Sequence, residues 1–299
     1  MDGYDPGTEG GQALKSEKTA LELAFRSAGA CAWGCLRWEE IAPHMEPAGR
    51  ERVAERCPQV RSLLCAAFPY ASGGERAERI SRYAWGEDYH TALRRRLEQA
   101  AEALKQNGMA DSYACWADVS PFPEVYAAAR AGLGKRGRNG LLITKEAGSY
   151  VFLGFVTTDG DFPSTAGEIE PCMGCGACIR ACPGGALREE GVFPERCLSA
   201  LTQKRGLLTP SQEALVQKGG LIWGCDRCQT CCPENPGRGA APLPEFDREE
   251  PRLSPEDLAL GDKAFRKKYA GKAFVWRGVQ PLRRNAALLN EEQEHPKGD

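Results

Sequence analysis

The chain predicts an α+β domain over about residues 14–160, joined to a cysteine-rich metal module. Three observations carry this. Up to Thr158, short apolar strand-like runs alternate with helical stretches. From Asp159 to Gly239 the composition turns glycine-, proline- and cysteine-rich. Within that stretch Cys172, Cys175, Cys178 and Cys182 form a C-x2-C-x2-C-x3-C-P run. Cys197 follows alone, and then Cys225, Cys228 and Cys232 form C-x2-C-x3-C-P.

The elements can be justified in order. Residues 1–13 are polar and are expected to lack order. Ser16 can cap a helix reaching about Ala28, with Leu21, Leu23 and Ala24 on its apolar face. Trp33 to Trp38 reads as a strand or turn entry, and Pro47 to Cys57 as a helix. Val60 to Ala67 reads as a buried strand ended by Pro69. Glu75 to Gln106 reads as mostly helical, stopped by Asn107-Gly108. Tyr113 to Val119 is a second strand, and Pro123 opens a helix that Gly132 closes. Leu141–Thr144 and Tyr150–Thr158 read as strands paired around Ala147-Gly148. Pro210–Lys218 is a helix within the metal module. A proline-rich linker (Pro236, Pro242, Pro244) leads to a basic helical segment from Pro255 to Asn290, so residues 161–240 and 241–299 form the second and third parts.

Composition narrows the function. A net charge of -2 argues against binding polyanions by bulk charge, so any nucleic-acid contact must use local patches. The first 18 residues hold no apolar run and the sequence has no membrane-length segment, so no membrane association is expected. Reduced thiols carrying metal in a cytoplasmic protein is the consistent reading.

The cysteine spacing is that of two [4Fe-4S] clusters rather than zinc, for which no histidine is available in the stretch. In two-cluster proteins the fourth cysteine of the run ligates the other cluster. Cys172, Cys175 and Cys178 would then take Cys232, while Cys182 would join Cys197, Cys225 and Cys228. Cys231 reads as a bystander. Cys31, Cys35, Cys57, Cys65 and Cys115 read as packing residues.

Several separate stretches resemble the epoxyqueuosine reductase family. They are Arg82-Tyr83-Ala84 with Asp88-Tyr89-His90, Asp118 before a proline, and Ala131-Gly132-Leu133-Gly134. Leu153-Gly154-Phe155, Gly224-Cys225-Asp226 with Cys228-Gln229, and Leu282-Arg283-Arg284-Asn285-Ala286-Ala287 complete the set. The resemblance implies a nitroreductase-like, cobalamin-binding α+β domain followed by a two-[4Fe-4S] ferredoxin-like module. It implies reduction of the epoxide of epoxyqueuosine in a tRNA anticodon loop, with electrons from an external low-potential donor passing through the clusters to cobalamin. Asp118 holds the position of the proton donor, an acid whose pKa is expected to be raised. Arg82, Tyr83, His90, Gly132, Gly134 and Asn139 are the expected cobalamin contacts. Only His44, His90 and His295 exist and no D-x-H-x-x-G motif is present, which agrees with base-off cobalamin lacking a protein histidine ligand.

Two departures bear on substrate. The family's aromatic after A-G-L-G is Lys135 here, in a loop expected near the cofactor. Many members also carry about 80 further residues of helical repeat, a fold that builds concave binding surfaces. The RNA grip is therefore expected to be smaller, or the substrate a small epoxide or halide; a plain electron carrier is the third reading. Between residues 262 and 284, Lys263, Arg266, Lys267, Lys268, Lys272, Arg277, Arg283 and Arg284 face one acid, with Phe265, Tyr269, Phe274 and Trp276 interleaved. That pattern suits single-stranded RNA, or equally an amphipathic helix with its aromatics in the core.

Overall fold

The computed structural model describes residues 19–71, 79–235 and 241–294. Residues 1–13, the Ser16 cap, Pro236 and His295 lie outside the described residues. Helix α1 (19–27) leads into β1 (Ala32–Arg37), α2 (Trp38–Ile41), α3 (Pro47–Arg56) and β2 (Ser62–Pro69). Helix α4 (Tyr89–Gln106), β3 (Tyr113–Ala117) and α5 (Glu124–Arg130) follow, then β4 (Lys135–Arg136), β5 (Leu142–Ile143) and β6 (Val151–Thr158).

Strands β1, β2, β6 and β3 form one antiparallel sheet in that order. All eight residues of β2 are buried because helices cover both faces. Leu64, Ala66 and Phe68 meet Phe25 of α1 and Leu93 and Leu97 of α4, while Leu63, Cys65 and Ala67 meet Ile41, Val53 and Ala127. This is the period-two alternation of a strand, with both faces apolar. Each large side chain so buried contributes about 1.5–3 kcal/mol. Gly154 in β6 lets α4 seat closely, since a Cβ there would lie 2.9 Å from Leu97 Cδ1.

Two expectations are corrected. Helix α4 begins at Tyr89 and residues 79–88 before it are not α-helical, while Glu75 lies outside the described residues. Asp88 caps it by accepting the His90 amide at 3.1 Å, and Arg82–Ala84 form a separate 3-10 turn. Strands β5 and β6 do not pair. Thr144 and Gly148 make only a local bridge, β5 pairs with β4, and β6 lies between β2 and β3. The reason is that Phe152 and Val156 face one core and Phe155 the other, so β6 needs two covered faces.

The cysteine-rich part holds α6 (Ala177–Ala181), a small hairpin of β7 (Leu187–Arg188) and β8 (Gly191–Val192), then α7 (Leu198–Gln203), α8 (Pro210–Gly219) and α9 (Arg227–Thr230). The C-terminal part is α10 (Pro255–Ala259), α11 (Asp262–Lys268), a 3-10 turn and α12 (Gln280–Glu294). It is not one helix, because Gly271 and Gly278, both at φ 80, break it. Phe265, Phe274 and Leu282 pack on Ile80 and Trp223 in a third core cluster, which ties the C-terminal part to the other two.

Candidate active site and cysteine cavities

Asp118 ends the β3 edge of the sheet with φ 60, alone among the described non-glycine residues in having positive φ. Aspartate tolerates this backbone conformation better than most residues, yet its presence marks a position held by its surroundings. The Ser120 amide closes onto the Asp118 carbonyl. Asp118 Oδ1 accepts the Tyr89 hydroxyl at 2.9 Å, and Oδ2 lies 2.9 Å from His90 Nε2. His90 Nδ1 lies 2.7 Å from Asp88 Oδ1. The cap that starts α4 therefore also orients the histidine.

An imidazole between two carboxylates donates from both nitrogens and so is protonated. Hydrogen bonds to Asp118 and Asp88 outweigh burial and raise the His90 pKa to about 9. The same His90 contact, helped by Tyr89, holds Asp118 below its ordinary value against the effect of burial. The expected acid with a raised pKa is thus corrected: the proton sits on His90, hydrogen-bonded to an ionised Asp118. Tyr89 stacks on His90 (4.2 Å between centroids) and on Phe152 (4.5 Å), which fixes the ring plane.

These groups line a cavity of ≈ 850 Å³. Tyr83, Leu141, Val151, Phe152 and Leu153 share the wall, and so do Cys197, Cys225 and Cys228. Trp276 is also in this wall, and with Val119 it is among the exposed large apolar side chains. The Tyr83 hydroxyl accepts the Trp223 Nε1–H at 2.8 Å. Arg82 is buried behind this wall, with its guanidinium 4.8 Å from the centroid of the Tyr150 ring. Asn139 borders both this cavity and a smaller one lined by cysteines.

Gly132, Gly134 and Lys135 border a different groove of ≈ 1050 Å³, together with Trp33 and Glu168. They do not line the cavity that Asp118 and His90 line. Gly132, at φ 82, terminates α5: its amide bonds Ala129 O and the Leu133 amide bonds Ala128 O, both at 3.0 Å. Gly134 is needed for the β4–β5 pairing, since a Cβ would sit 2.4 Å from Ile143 O. Lys135 Nζ pairs with Glu234 Oε1 at 2.8 Å.

The cysteines separate into two groups. Cys172, Cys175, Cys178 and Cys232 line the smaller cavity. Cys172 Sγ accepts the Arg138 amide at 3.4 Å. Cys197, Cys225 and Cys228 border the large cavity. Cys182 Sγ accepts the Ala186 amide at 3.2 Å, in a turn whose Gly184 carbonyl binds the Arg196 guanidinium at 2.7 Å, next to Cys197. Among the described residues no three Cys, His, Asp or Glu side chains converge as on a single metal ion. The side chains lining the smaller cavity include four thiols and no histidine, a donor set that suits an iron–sulfur cluster. Cys231 Sγ donates to the Cys228 carbonyl at 3.6 Å. Cys35, Cys57, Cys65 and Cys115 are buried, and burial pushes the Cys35 and Cys115 thiols up to about 12.

Several residues given no role by sequence reading hold this arrangement. Asp226 accepts from the Ser81 hydroxyl (2.6 Å) and the Arg82 amide (2.8 Å), which locks the second cysteine motif onto the 3-10 turn. Gln229 binds Tyr70 and Ser149, and Asn235 binds the Ser149 amide and hydroxyl. Asn285 donates to the Thr202 and Ile222 carbonyls, both at 2.8 Å, and Arg284 to the Leu201, Lys204 and Gly206 carbonyls. The L-R-R-N motif is therefore a clasp on the cysteine module. Of the interleaved aromatics, Phe265 and Phe274 are fully buried and Tyr269 donates to Asp257, leaving Trp276 exposed. Glu124, also unforeseen, lines the large cavity with Oε1 unpartnered among the described residues.

Comparison with known proteins accords with this geometry. A family profile described as epoxyqueuosine reductase QueG, DUF1730, matches residues 50–118, and one described as a 4Fe-4S double cluster binding domain matches residues 171–235. An epoxyqueuosine reductase of Gloeobacter violaceus is 36% identical over 267 residues, covering 85% of this chain and 81% of that protein. The chain belongs to the epoxyqueuosine reductase family. The Lactococcus garvieae epoxyqueuosine reductase is 38% identical over 73% of this chain, but the match spans only 64% of that relative's length. A crystal structure of an epoxyqueuosine reductase with a tRNA-Tyr epoxyqueuosine-modified stem loop superposes with TM-score 0.77 at 26% identity, covering 92% of this chain and 81% of that one. A Bacillus subtilis epoxyqueuosine reductase, solved with its catalytic aspartate loop swung out of the active site, gives TM-score 0.76 at 26% identity over 96% and 87%. The nitroreductase-like α+β fold with an appended 4Fe-4S module is thus the family's, and family membership carries with it iron–sulfur and cobalamin use.

Proposed function

We propose that the chain reduces the epoxide of epoxyqueuosine in a tRNA anticodon loop to the alkene of queuosine. Electrons from an external low-potential donor pass through two [4Fe-4S] clusters to cobalamin. One observation carries this reading: the Asp88–His90–Asp118 chain and the thiols of Cys197, Cys225 and Cys228 border the same cavity. A proton source and an electron relay therefore face one reaction space.

Cobalamin fits that space. The wall is largely apolar and aromatic, as large-cofactor sites are. Both His90 nitrogens are engaged by carboxylates, and the other described histidine, His44, bonds the Tyr126 hydroxyl at 2.9 Å. His90 therefore has no free nitrogen to offer cobalt and His44 does not line this cavity, which supports the base-off mode without a protein histidine ligand. Tyr83, His90 and Asn139 are the expected contacts, with Arg82 supporting them from behind. When bound, cobalamin supplies low-valent metal chemistry at the epoxide carbon.

The chain's own residues manage the proton. A departing alkoxide in a dry pocket is poor without an acid. Asp118 takes the proton from His90 at Oδ2 and delivers it to the epoxide oxygen. Asp88 holds the His90 tautomer and Tyr89 holds Oδ1, so the carboxylate is aimed before substrate arrives. The strained Asp118 backbone supports a loop that can leave the site, as the catalytic aspartate loop does in the B. subtilis structure.

The thiols are assigned as read from the spacing: Cys172, Cys175, Cys178 and Cys232 for one cluster, and Cys182, Cys197, Cys225 and Cys228 for the other. Residues 14–160 form the cobalamin and substrate part, 161–240 the cluster module, and 241–299 a C-terminal part that clasps it. Among the described residues no helix is long and apolar enough to cross a membrane; the proposed tRNA-modifying role is one carried out in the cytoplasm. The test is Asp118→Asn under anaerobic turnover of an epoxyqueuosine-bearing stem loop. The expected result is loss of turnover with full iron content and cobalamin binding; retained turnover would remove Asp118 from the mechanism.

A further inference from the structure

Reducing an epoxide to an alkene takes two protons, and the Asp118–His90 pair stores one. One C–O bond breaks and the oxygen takes a proton; the second C–O bond breaks, the oxygen takes another, and water leaves. The two electrons come from the low-potential donor already named. The geometry points to Glu124 as the holder of the second proton, given to the substrate's oxygen as the second C–O bond breaks. This inference rests on the function proposed above.

Glu124 opens α5, across a short loop from Asp118, and lines the same cavity. Its Oε1 is buried with no hydrogen-bond partner among the described residues. A buried, unpartnered carboxylate oxygen is costly when ionised, whereas the neutral acid suits the site and can donate. Burial raises the Glu124 pKa to about 7; Asp118 pushes it further up, while the Ser120 hydroxyl and amide oppose the rise. Tyr70, Tyr83, Asp226 and the thiols of Cys197, Cys225 and Cys228 line the same cavity, as do Asp88, Tyr89 and His90 at the start of α4, and Arg52 of α3 holds the neighbouring Val119 carbonyl at 3.2 Å. A glutamate at a helix start is ordinarily kept ionised by the helix dipole; here burial opposes that effect.

Two measurements on the full chain test the role. The first needs no turnover. Infrared difference spectra of Glu124→Gln against wild type, from pH 5 to pH 9, should show a carboxylic acid that ionises near pH 7 in wild type alone. The second is the pH dependence of turnover with clusters and cobalamin loaded. Wild-type turnover should fall as pH rises through about 7. Glu124→Gln should lose that step and slow about 100-fold, within the range for a lost general acid, with iron content and cobalamin binding unchanged. Glu124→Asp, which keeps the acid, should recover part of the rate and restore a step. A wild-type Glu124 already ionised at pH 5, or a Glu124→Gln enzyme with the wild-type rate and profile, would overturn the proposal. Wild type without any cobalamin-dependent turnover would overturn the parent reading and this role with it, whatever the infrared spectra show.

Discussion

His90 Nε2 and Asp118 Oδ2 share a proton across 2.9 Å, and the histidine carries it. The raised His90 pKa has a defined sign. The stabilisation it brings is complete below the ordinary value of 6.5 and is lost as pH rises through about 9. Both side chains are more than a third exposed, so solvent screens the pair and its contribution to folding is small. Its effect on catalysis is larger. Turnover should show a second fall near pH 9, above the one assigned to Glu124. His90→Gln should abolish that second fall and return Asp118 towards its ordinary pKa. A pH–rate series on both proteins checks this; an unchanged upper limb in His90→Gln would remove the histidine from the proton path.

The proposed crossed arrangement of thiols makes an asymmetric prediction. Cys232→Ala should remove the cluster of Cys172, Cys175 and Cys178, about four of about eight irons, and leave the cluster that borders the active-site cavity. Cys182→Ala should do the reverse. Iron and sulfide analysis with electron paramagnetic resonance distinguishes them. If Cys232→Ala instead removes the cluster of Cys225 and Cys228, the ligands are not crossed.

Asn285 is fully buried, and its amide serves two carbonyls on the cysteine module. Asn285→Ala leaves both carbonyls unsatisfied, at about 1–3 kcal/mol each. The denaturant midpoint should fall by the equivalent of about 3 kcal/mol with an unchanged m-value, and the module should lose iron more readily. A midpoint equal to wild type would mean that the clasp is redundant.

The comparison of sequence with structure turns on where each signal is local. The cysteine spacing encodes its own loop geometry, so the 4Fe-4S module was legible. The apolar run of β2 from Leu63 announced a buried strand. The Asn107-Gly108 stop and the Gly132 cap are backbone requirements written in single residues. The start of α4 was not legible, because Asp88 acts as its cap only where Gly86 packs against Glu245 and Phe246 from far along the chain. The direction of the Asp118 shift was missed for the same reason: it depends on His90, 28 residues away in sequence. The aromatics between 262 and 284 matched an RNA surface in composition. Only tertiary packing shows that Phe265 and Phe274 belong to the core.

Trp276 is the aromatic left at the cavity mouth, with the Arg277 guanidinium 3.6 Å from its ring centroid. An exposed indole there can stack an unpaired base, a contact worth about 1–3 kcal/mol. Trp276→Ala should weaken stem-loop binding about 5- to 150-fold, the equivalent of that range, and leave the salt dependence nearly unchanged. Exposed Lys263 and Lys267 should behave oppositely: their replacement by glutamine should flatten the salt dependence. Fluorescence anisotropy across a salt series reads both; equal salt slopes in all variants would place the RNA elsewhere.

The central claim is tested most directly by an anaerobic single turnover. The chain, with both clusters reconstituted, is mixed with cobalamin, a low-potential reductant and epoxyqueuosine-containing tRNA. The RNA is then digested and the nucleoside weighed by mass spectrometry. Loss of one oxygen, dependent on cobalamin and absent in Asp118→Asn, is the expected result. An unchanged nucleoside, with cobalamin bound and both clusters reduced, would contradict the assignment of this substrate.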